Sequence, residues 1–228
     1  MIFRQLFEPT ASAYTYLLGC PESRKAVLID PVLETVDRDL ALLGELALTL
    51  DTTLETHIHA DHVTGAARLR AATGCKVAVP AASKATHADL QVCEGEPILV
   101  GTLRIEPLHT PGHTSDHHAY LVGDRLFTGD ALLIDACGRT DFQGGDAASL
   151  FSAVHGKFFS LPDETLVYPG HDYQQRMVSS VGQEKARNAR LGDGKSLDEF
   201  VAIMAGLNLP RPKRMDVAVP ANQACGEV

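Results

Sequence analysis

The sequence predicts a mixed α/β protein in which helices cover two sheets. Three observations carry that expectation: short apolar runs alternate with segments of helical period, a Gly-Asp turn joins two of the runs, and helix-capping side chains stand ahead of apolar stretches. Tyr14 to Leu18 and Ala26 to Asp30 are rich in Tyr, Val, Leu and Ile and are divided by Gly-Cys-Pro-Glu-Ser, the pattern of a hairpin. From Val36 the period changes. Val36, Leu40, Leu43 and Ala47 recur at helical spacing behind Thr35, a residue type that caps helices. Thr53 to Ile58 reads as a strand, Val63 to Ala72 as a helix closed by Gly74, and Lys76 to Val79 as a strand. Leu103 to Leu108, Ala119 to Val122 and Arg125 to Thr128 are short strands, the last two joined by Gly123-Asp124. Asp146 caps a helix over Ala147 to Phe158, and Thr165 to Tyr168 is a further strand. Ser196-Leu-Asp-Glu199 forms a capping box ahead of Phe200, with Gly206 as the stop, and Ser180 with Gln183 forms a weaker one. Leu207 to Val228 has the proline density of a tail laid over a surface.

At 228 residues the chain is long enough to bury a substantial core. Its 20 basic against 29 acidic residues give a net charge of −9, which offers no excess of cations for binding nucleic acid. No apolar run approaches the length of a membrane span, and no signal or transit pattern opens the chain, so a cytoplasmic location and no membrane partner are expected. The five cysteines are scattered without a C-x-x-C pair and read as reduced, mostly buried thiols.

The ten histidines carry more information because they cluster. His57-Ile-His59-Ala-Asp61-His62 falls where a strand gives way to a helix. Two residues apart on a strand, His57 and His59 would face the same way and converge on one ion, with Asp61 and His62 turned to a neighbouring position. His113, Asp130 and His171 each follow a Gly at a predicted strand end, as expected where the backbone turns sharply. His87, His109 and His155 lack such company and read as surface or core residues, and His117 and His118 either flank the site or begin a strand. A lone histidine after a Pro-Gly turn is usually a solvated loop residue, but this whole set is not a packing pattern. Every ligand that two metals would need is present.

These residues resemble the metallo-β-lactamase superfamily, which implies an αββα sandwich of two mixed sheets covered by helices, with metal at one edge. Flanking stretches are similar to the persulfide dioxygenase family: Phe7-Glu-Pro, Ala26 to Thr35, Phe127 to Ile134, Cys137-Gly-Arg-Thr-Asp-Phe-Gln143, Tyr168 to Tyr173, Leu207-Asn-Leu-Pro210 and Val219-Pro-Ala-Asn222. Asn188-Ala-Arg-Leu and Ser115-Asp-His-His118 depart from that family's usual pattern. The resemblance implies one domain over 1–228, with 172–228 a short C-terminal extension packed on it. It implies one Fe(II) per chain held by His57, His113 and Asp130, the two-histidine, one-carboxylate face of non-haem iron oxygenases. His59, Asp61, His62 and His171 would then orient ligands or water instead of holding a second metal. Glutathione persulfide and O2 would be the substrates, with sulfite and glutathione as products. Arg139, Asp141, Tyr173, Arg190 and Arg214 are the candidate substrate contacts, Arg139 having as its plain alternative a structural ion pair with Asp141. Cys137 reads as a buried thiol beside the site. A homodimer stays open. The rival readings are a dizinc glutathione thioester hydrolase similar to glyoxalase II and a non-catalytic metal- or sulfur-binding protein.

Overall fold

The computed structural model describes residues 1–192 and 194–227. One sheet runs in spatial order β1 (Ile2–Glu8), β2 (Ala13–Gly19), β3 (Lys25–Ile29), β4 (Thr49–Leu54), β5 (Lys76–Pro80), β6 (Leu90–Val92). The other runs β12 (Ser179–Ser180), β11 (Leu166–Pro169), β10 (Arg125–Gly129), β9 (His118–Val122), β8 (Leu103–His109), β7 (Ile98–Val100). Both are mixed. β1 to β3 pair antiparallel and β3 to β6 parallel, while β10 and β11 are the parallel pair of an otherwise antiparallel second sheet.

The two sheets face each other across Tyr16, Leu18, Val27, Ile29 and Leu54 on one side and Ile105, Tyr120 and Phe127 on the other. Alternation along β2 and β3 sends Leu17 and Leu28 to the opposite face, where α1 (Val36–Glu45) and α2 (Ala66–Thr73) cover them with Val36, Leu43 and Leu69. On the second sheet, Leu126 and Val167 pack under Leu150, Phe158 and Phe200, supplied by α3 (Ala147–Ala153), its π-helical continuation Val154–Phe158, and α5 (Leu197–Ala205). α4 (Val181–Arg187) and α6 (Met215–Gln223) complete the helices. The helix–sheet–sheet–helix layering is the expected sandwich.

Local chemistry accounts for most element ends. Asp146 accepts from the Ser149 amide at 2.7 Å, Ser180 from Gln183 at 3.2 Å, and Ser196 with Glu199 closes a full capping box. Gly74 ends α2 in the left-handed region at φ 74°. Three expectations are corrected. Thr35 precedes α1 but makes no side-chain cap; its hydroxyl donates back to the Val32 carbonyl at 3.1 Å. The strand expected over Thr53 to Ile58 is β4, and its ladder stops at Leu54: after one last bond from Glu55 N to Ala78 O of β5, the Thr56 and Ile58 amides turn to the Asp30 and Asp116 carboxylates. The C-terminal tail contains a helix, α6, which runs through Pro220. Among the described residues no helix is long and apolar enough to cross a membrane, and all five cysteines are free, four of them buried.

Candidate metal centre

The end of β4 and the ends of β8, β10 and β11 open at one edge of the sandwich, and the histidine-rich segments leave from there. His57, His59 and His62 lie on the loop between β4 and α2, His113 on the loop after β8, Asp130 directly after β10, and His171 just beyond β11. Two core tyrosines reach these loops from the sheets: the Tyr120 hydroxyl donates to the Glu55 carbonyl at 2.6 Å, and that of Tyr16 to the Pro169 carbonyl at 2.5 Å.

His57, His113 and Asp130 bring one ligand atom each within 4.8 Å of one another. His113 Nε2 lies 3.5 Å from Asp130 Oδ2. Each ligand is held from behind. The Thr56 hydroxyl donates to Asp30 Oδ2 at 2.8 Å, so it accepts from His57 Nδ1 at 3.0 Å, which places the proton on Nδ1 and leaves the lone pair on Nε2. His113 Nδ1 donates to the Arg139 carbonyl at 2.7 Å, which orients the ring with Nε2 toward Asp130. Burial, reinforced by neighbouring imidazoles, depresses His57 well below the ordinary histidine value and keeps it neutral. The Asp130 amide donates to His117 Nε2 at 3.1 Å, and His117 Nδ1 donates to Thr110 Oγ1 at 2.8 Å. Gly129 makes that approach feasible: at φ 49° it turns the chain, and a Cβ there would lie 2.5 Å from His117 Nε2.

The remaining cluster residues are tied to carboxylates. His171 donates from Nδ1 to Asp130 Oδ1 at 2.7 Å and from Nε2 to Asp61 Oδ2 at 3.0 Å. Burial opposes charge on this ring, yet Asp130 and Asp61 overcome it and hold the pKa well above the usual value. Burial likewise opposes the Asp130 carboxylate, and His171 wins, so the acid stays ionised. His62 Nδ1 donates to Asp61 Oδ2 at 3.0 Å. His59 Nε2 sits 3.2 Å from Asp30 and 3.6 Å from Glu55, in ion-pair contacts that are not aligned hydrogen bonds. Against burial, Asp30 holds His59 up; burial with Asp30 beside it pushes Glu55 up. His57 and His59 therefore do not converge from one strand face. Both lie beyond β4, with ring centroids 4.1 Å apart but in different ligand groups.

The expected substrate residues are placed less uniformly. Arg139 grips Asp141 with two hydrogen bonds of 2.6 and 2.7 Å and donates to the Pro210 and Leu209 carbonyls, so most of its guanidinium is already engaged. Arg190 donates to the Cys137 carbonyl at 2.7 Å, and Arg214 pairs with exposed Glu34 at 2.7 Å. Tyr173 is 78% exposed and lays its ring parallel to His171, 6.4 Å between centroids. Burial pushes the Cys137 thiol up to about 11, as befits an inert core cysteine. Sequence reasoning assigned no site role to Asp30, Glu55, Thr56 or Asn222. The one signal for Asp30 is an acid at a strand end before Pro31.

Two imidazoles and one ionised carboxylate on one side of a point, with their far atoms immobilised, fit a divalent transition metal. The layered fold and that donor set define a class: the metallo-beta-lactamase superfamily model matches residues 10–171. Human "Persulfide dioxygenase ETHE1, mitochondrial" is 49% identical over 229 residues, covering 99% of this chain and 89% of that one. The crystal structure of ETHE1 from Myxococcus xanthus superposes with a TM-score of 0.97 at 55% identity over the whole of both chains. A hydroxyacylglutathione hydrolase of Polaromonas sp. is 38% identical over 173 residues, 72% of this chain and 65% of its own. The chain belongs to the persulfide dioxygenase family of the metallo-β-lactamase superfamily.

Proposed function

We propose that this protein is a persulfide dioxygenase that converts glutathione persulfide, O2 and water to glutathione and sulfite at one Fe(II) held by His57, His113 and Asp130. The observation that carries the reading is that His171 spends both nitrogens on carboxylates, at 2.7 Å to Asp130 and 3.0 Å to Asp61, beside a three-donor face of His57, His113 and Asp130 whose ligand atoms lie within 4.8 Å of one another. In the balanced reaction the outer sulfur loses four electrons and O2 gains them, which zinc cannot mediate. Iron(II), when bound, supplies the redox-active centre that such an exchange needs.

The chain's own residues do the rest. Thr56 and the Arg139 carbonyl fix the imidazole tautomers, and His171 fixes Asp130, so the donors require little rearrangement on binding. Tyr173, exposed beside His171, offers a ring and a hydroxyl to an entering substrate. Arg214, whose exposed pair with Glu34 is cheap to exchange, is proposed as a cation for a glutathione carboxylate. Arg139 with Asp141, and Arg190, shape the rim from positions already occupied by protein partners, so their effect on substrate is proposed to run through loop order. Five free thiols suit a reducing compartment such as the cytoplasm.

Oxygen consumption with glutathione persulfide, with S-lactoylglutathione under anaerobic conditions as the comparison, tests the reading. Oxygen uptake, about one iron per chain, and loss of both in Asp130→Ala are expected. Anaerobic thioester hydrolysis with two zincs per active chain would establish the hydrolase reading instead.

A further inference from the structure

The Val219-Pro-Ala-Asn222 stretch takes no part in the chemistry above, yet its asparagine is fully used. Asn222 is 3% exposed on α6. Its Nδ2 donates to the carbonyls of His59 at 2.9 Å and His62 at 2.8 Å, and its Oδ1 accepts from the Thr64 amide at 2.8 Å. Three backbone groups of the histidine loop are thus satisfied by one side chain from the end of the chain. The helix that carries it is itself fastened, with Ala67 N donating to Cys225 O at 3.1 Å and Thr86 N to Gln223 O at 2.7 Å.

The two carbonyls that Asn222 grips flank Asp61. That carboxylate receives His171 Nε2, and His171 Nδ1 in turn holds Asp130. We infer that Asn222 is a positioning residue for the metal centre: by fixing the backbone on both sides of Asp61, it sets the Asp61–His171–Asp130 relay and hence the direction in which Asp130 presents its free oxygen. An amide is suited to the task because it alone places two donors and one acceptor in a plane at this length. Aspartate would turn oxygen toward two carbonyls, and alanine would leave three buried backbone groups without partners. The inference rests on the metal reading proposed above.

The test uses the full-length chain. Wild type, Asn222→Ala and Asn222→Asp are loaded anaerobically with Fe(II), with Phe200→Leu on α5 as a packing control remote from the loop. Three quantities are read: the rate of iron loss to excess chelator, the electron paramagnetic resonance signal with nitric oxide as probe, and the melting temperature of the metal-free protein. Both Asn222 variants are expected to hold iron about ten- to a hundredfold more weakly and to give a broadened signal, while Phe200→Leu lowers only the melting temperature. A folded Asn222 variant with wild-type iron retention and signal overturns the inference, as does iron loss that merely follows melting temperature across all the variants. If neither Asn222 variant folds, the residue is a determinant of the fold and the inference falls. Asp130→Ala run in parallel separates the two readings. Iron retained there removes the metal assignment, whereas iron lost there but kept in the Asn222 variants removes only the role of Asn222.

Discussion

Replacing Thr56 by Val exchanges one hydroxyl for a methyl in a side chain that is 1% exposed. The hydroxyl donates to Asp30 Oδ2 at 2.8 Å and accepts from His57 Nδ1 at 3.0 Å, whereas the backbone bond from Thr56 N to Asp30 Oδ1 at 2.7 Å survives the change. One lost bond is to a buried carboxylate, worth about 1.5–3 kcal/mol, and the other strands a buried imidazole N–H, at about 1–3 kcal/mol. Partial relaxation overlaps the two costs, so the metal-free protein is expected to lose about 2–5 kcal/mol. In a chain of this size each kcal/mol moves the melting temperature by about 2–4 °C, which gives a fall of about 4–20 °C. Without its Nδ1 acceptor His57 no longer has a preferred tautomer, and iron affinity is expected to drop about ten- to a hundredfold. Anaerobic titration with Fe(II) against a competing chelator measures the affinity, and calorimetry of the metal-free form measures the stability. Thr56→Ser keeps the hydroxyl and is expected to restore most of the affinity. If the valine variant binds iron as wild type does and melts within about 2 °C of it, the Asp30–Thr56–His57 chain does not orient the ligand.

Three further outcomes are expected. Burial raises the Asp39 carboxyl to about 6 against the pull of Arg38, so its contribution to stability falls as pH climbs from about 4 to 6 and stays lost at pH 7. Asp39→Asn is therefore expected to stabilise the protein by about 1–3 kcal/mol at pH 7 and to give no gain near pH 4, as read by urea unfolding at both; equal stability at pH 7 refutes it. Gly129→Ala puts a Cβ 2.5 Å from His117 Nε2 at a φ of 49°. Strain of about 1–3 kcal/mol plus displacement of His117 is expected to lower iron loading together with melting temperature, and wild-type loading would show that the Asp130 turn tolerates a side chain. Cys137, 2% exposed and with its thiol pushed up to about 11, is expected to escape iodoacetamide at pH 8 in the folded protein while alkylating in urea. Rapid modification of Cys137 in the native state, detected by peptide mass spectrometry, would show that the thiol is accessible and not an inert core group.

What the sequence made legible and what it did not divide along a physical line. The layers were readable because apolar period is a local property: Leu17 and Leu28 against Tyr16 and Ile29 already assign two faces of a sheet. The donors at strand ends were readable because histidine and glycine are uncommon together, and His113, Asp130 and His171 do leave from the ends of β8, β10 and β11. Short edge pieces such as β6, β7 and β12 carry too few residues for a period to emerge. α6 was hidden because Pro220 reads as a breaker, although tertiary contacts of Ala218 and Ala221 with Val63 hold the helix through it. Least legible were the partners behind the ligands. Asp30 and Thr56 stand 26 residues apart, and Asn222 reaches His59 across 163. No local pattern encodes such contacts, because they exist only once the sheets have brought strand ends together.

Spacing could not separate one metal from two, because His57, His59, Asp61, His62, His113, Asp130 and His171 supply enough donors for both. Proton placement is the property that discriminates. A histidine serves as a ligand only through a lone pair, and a ring that donates from both nitrogens to ionised carboxylates has none left. His171 is in that condition, with 2.7 and 3.0 Å contacts to Asp130 and Asp61. His59 faces Asp30 and Glu55 at 3.2 and 3.6 Å. A second cation would have to displace the His171 proton from between two acids and compete for Asp61, which already accepts from His62 at 3.0 Å. At the first position burial keeps His57 neutral with its proton on Nδ1, and His113, held through Nδ1 by the Arg139 carbonyl, turns Nε2 toward Asp130. On the reading proposed here, the preference for a single ion therefore resides less in the ligand list than in Thr56, the Arg139 carbonyl and the Asp61–His171 pair, which decide where the protons sit before any metal arrives.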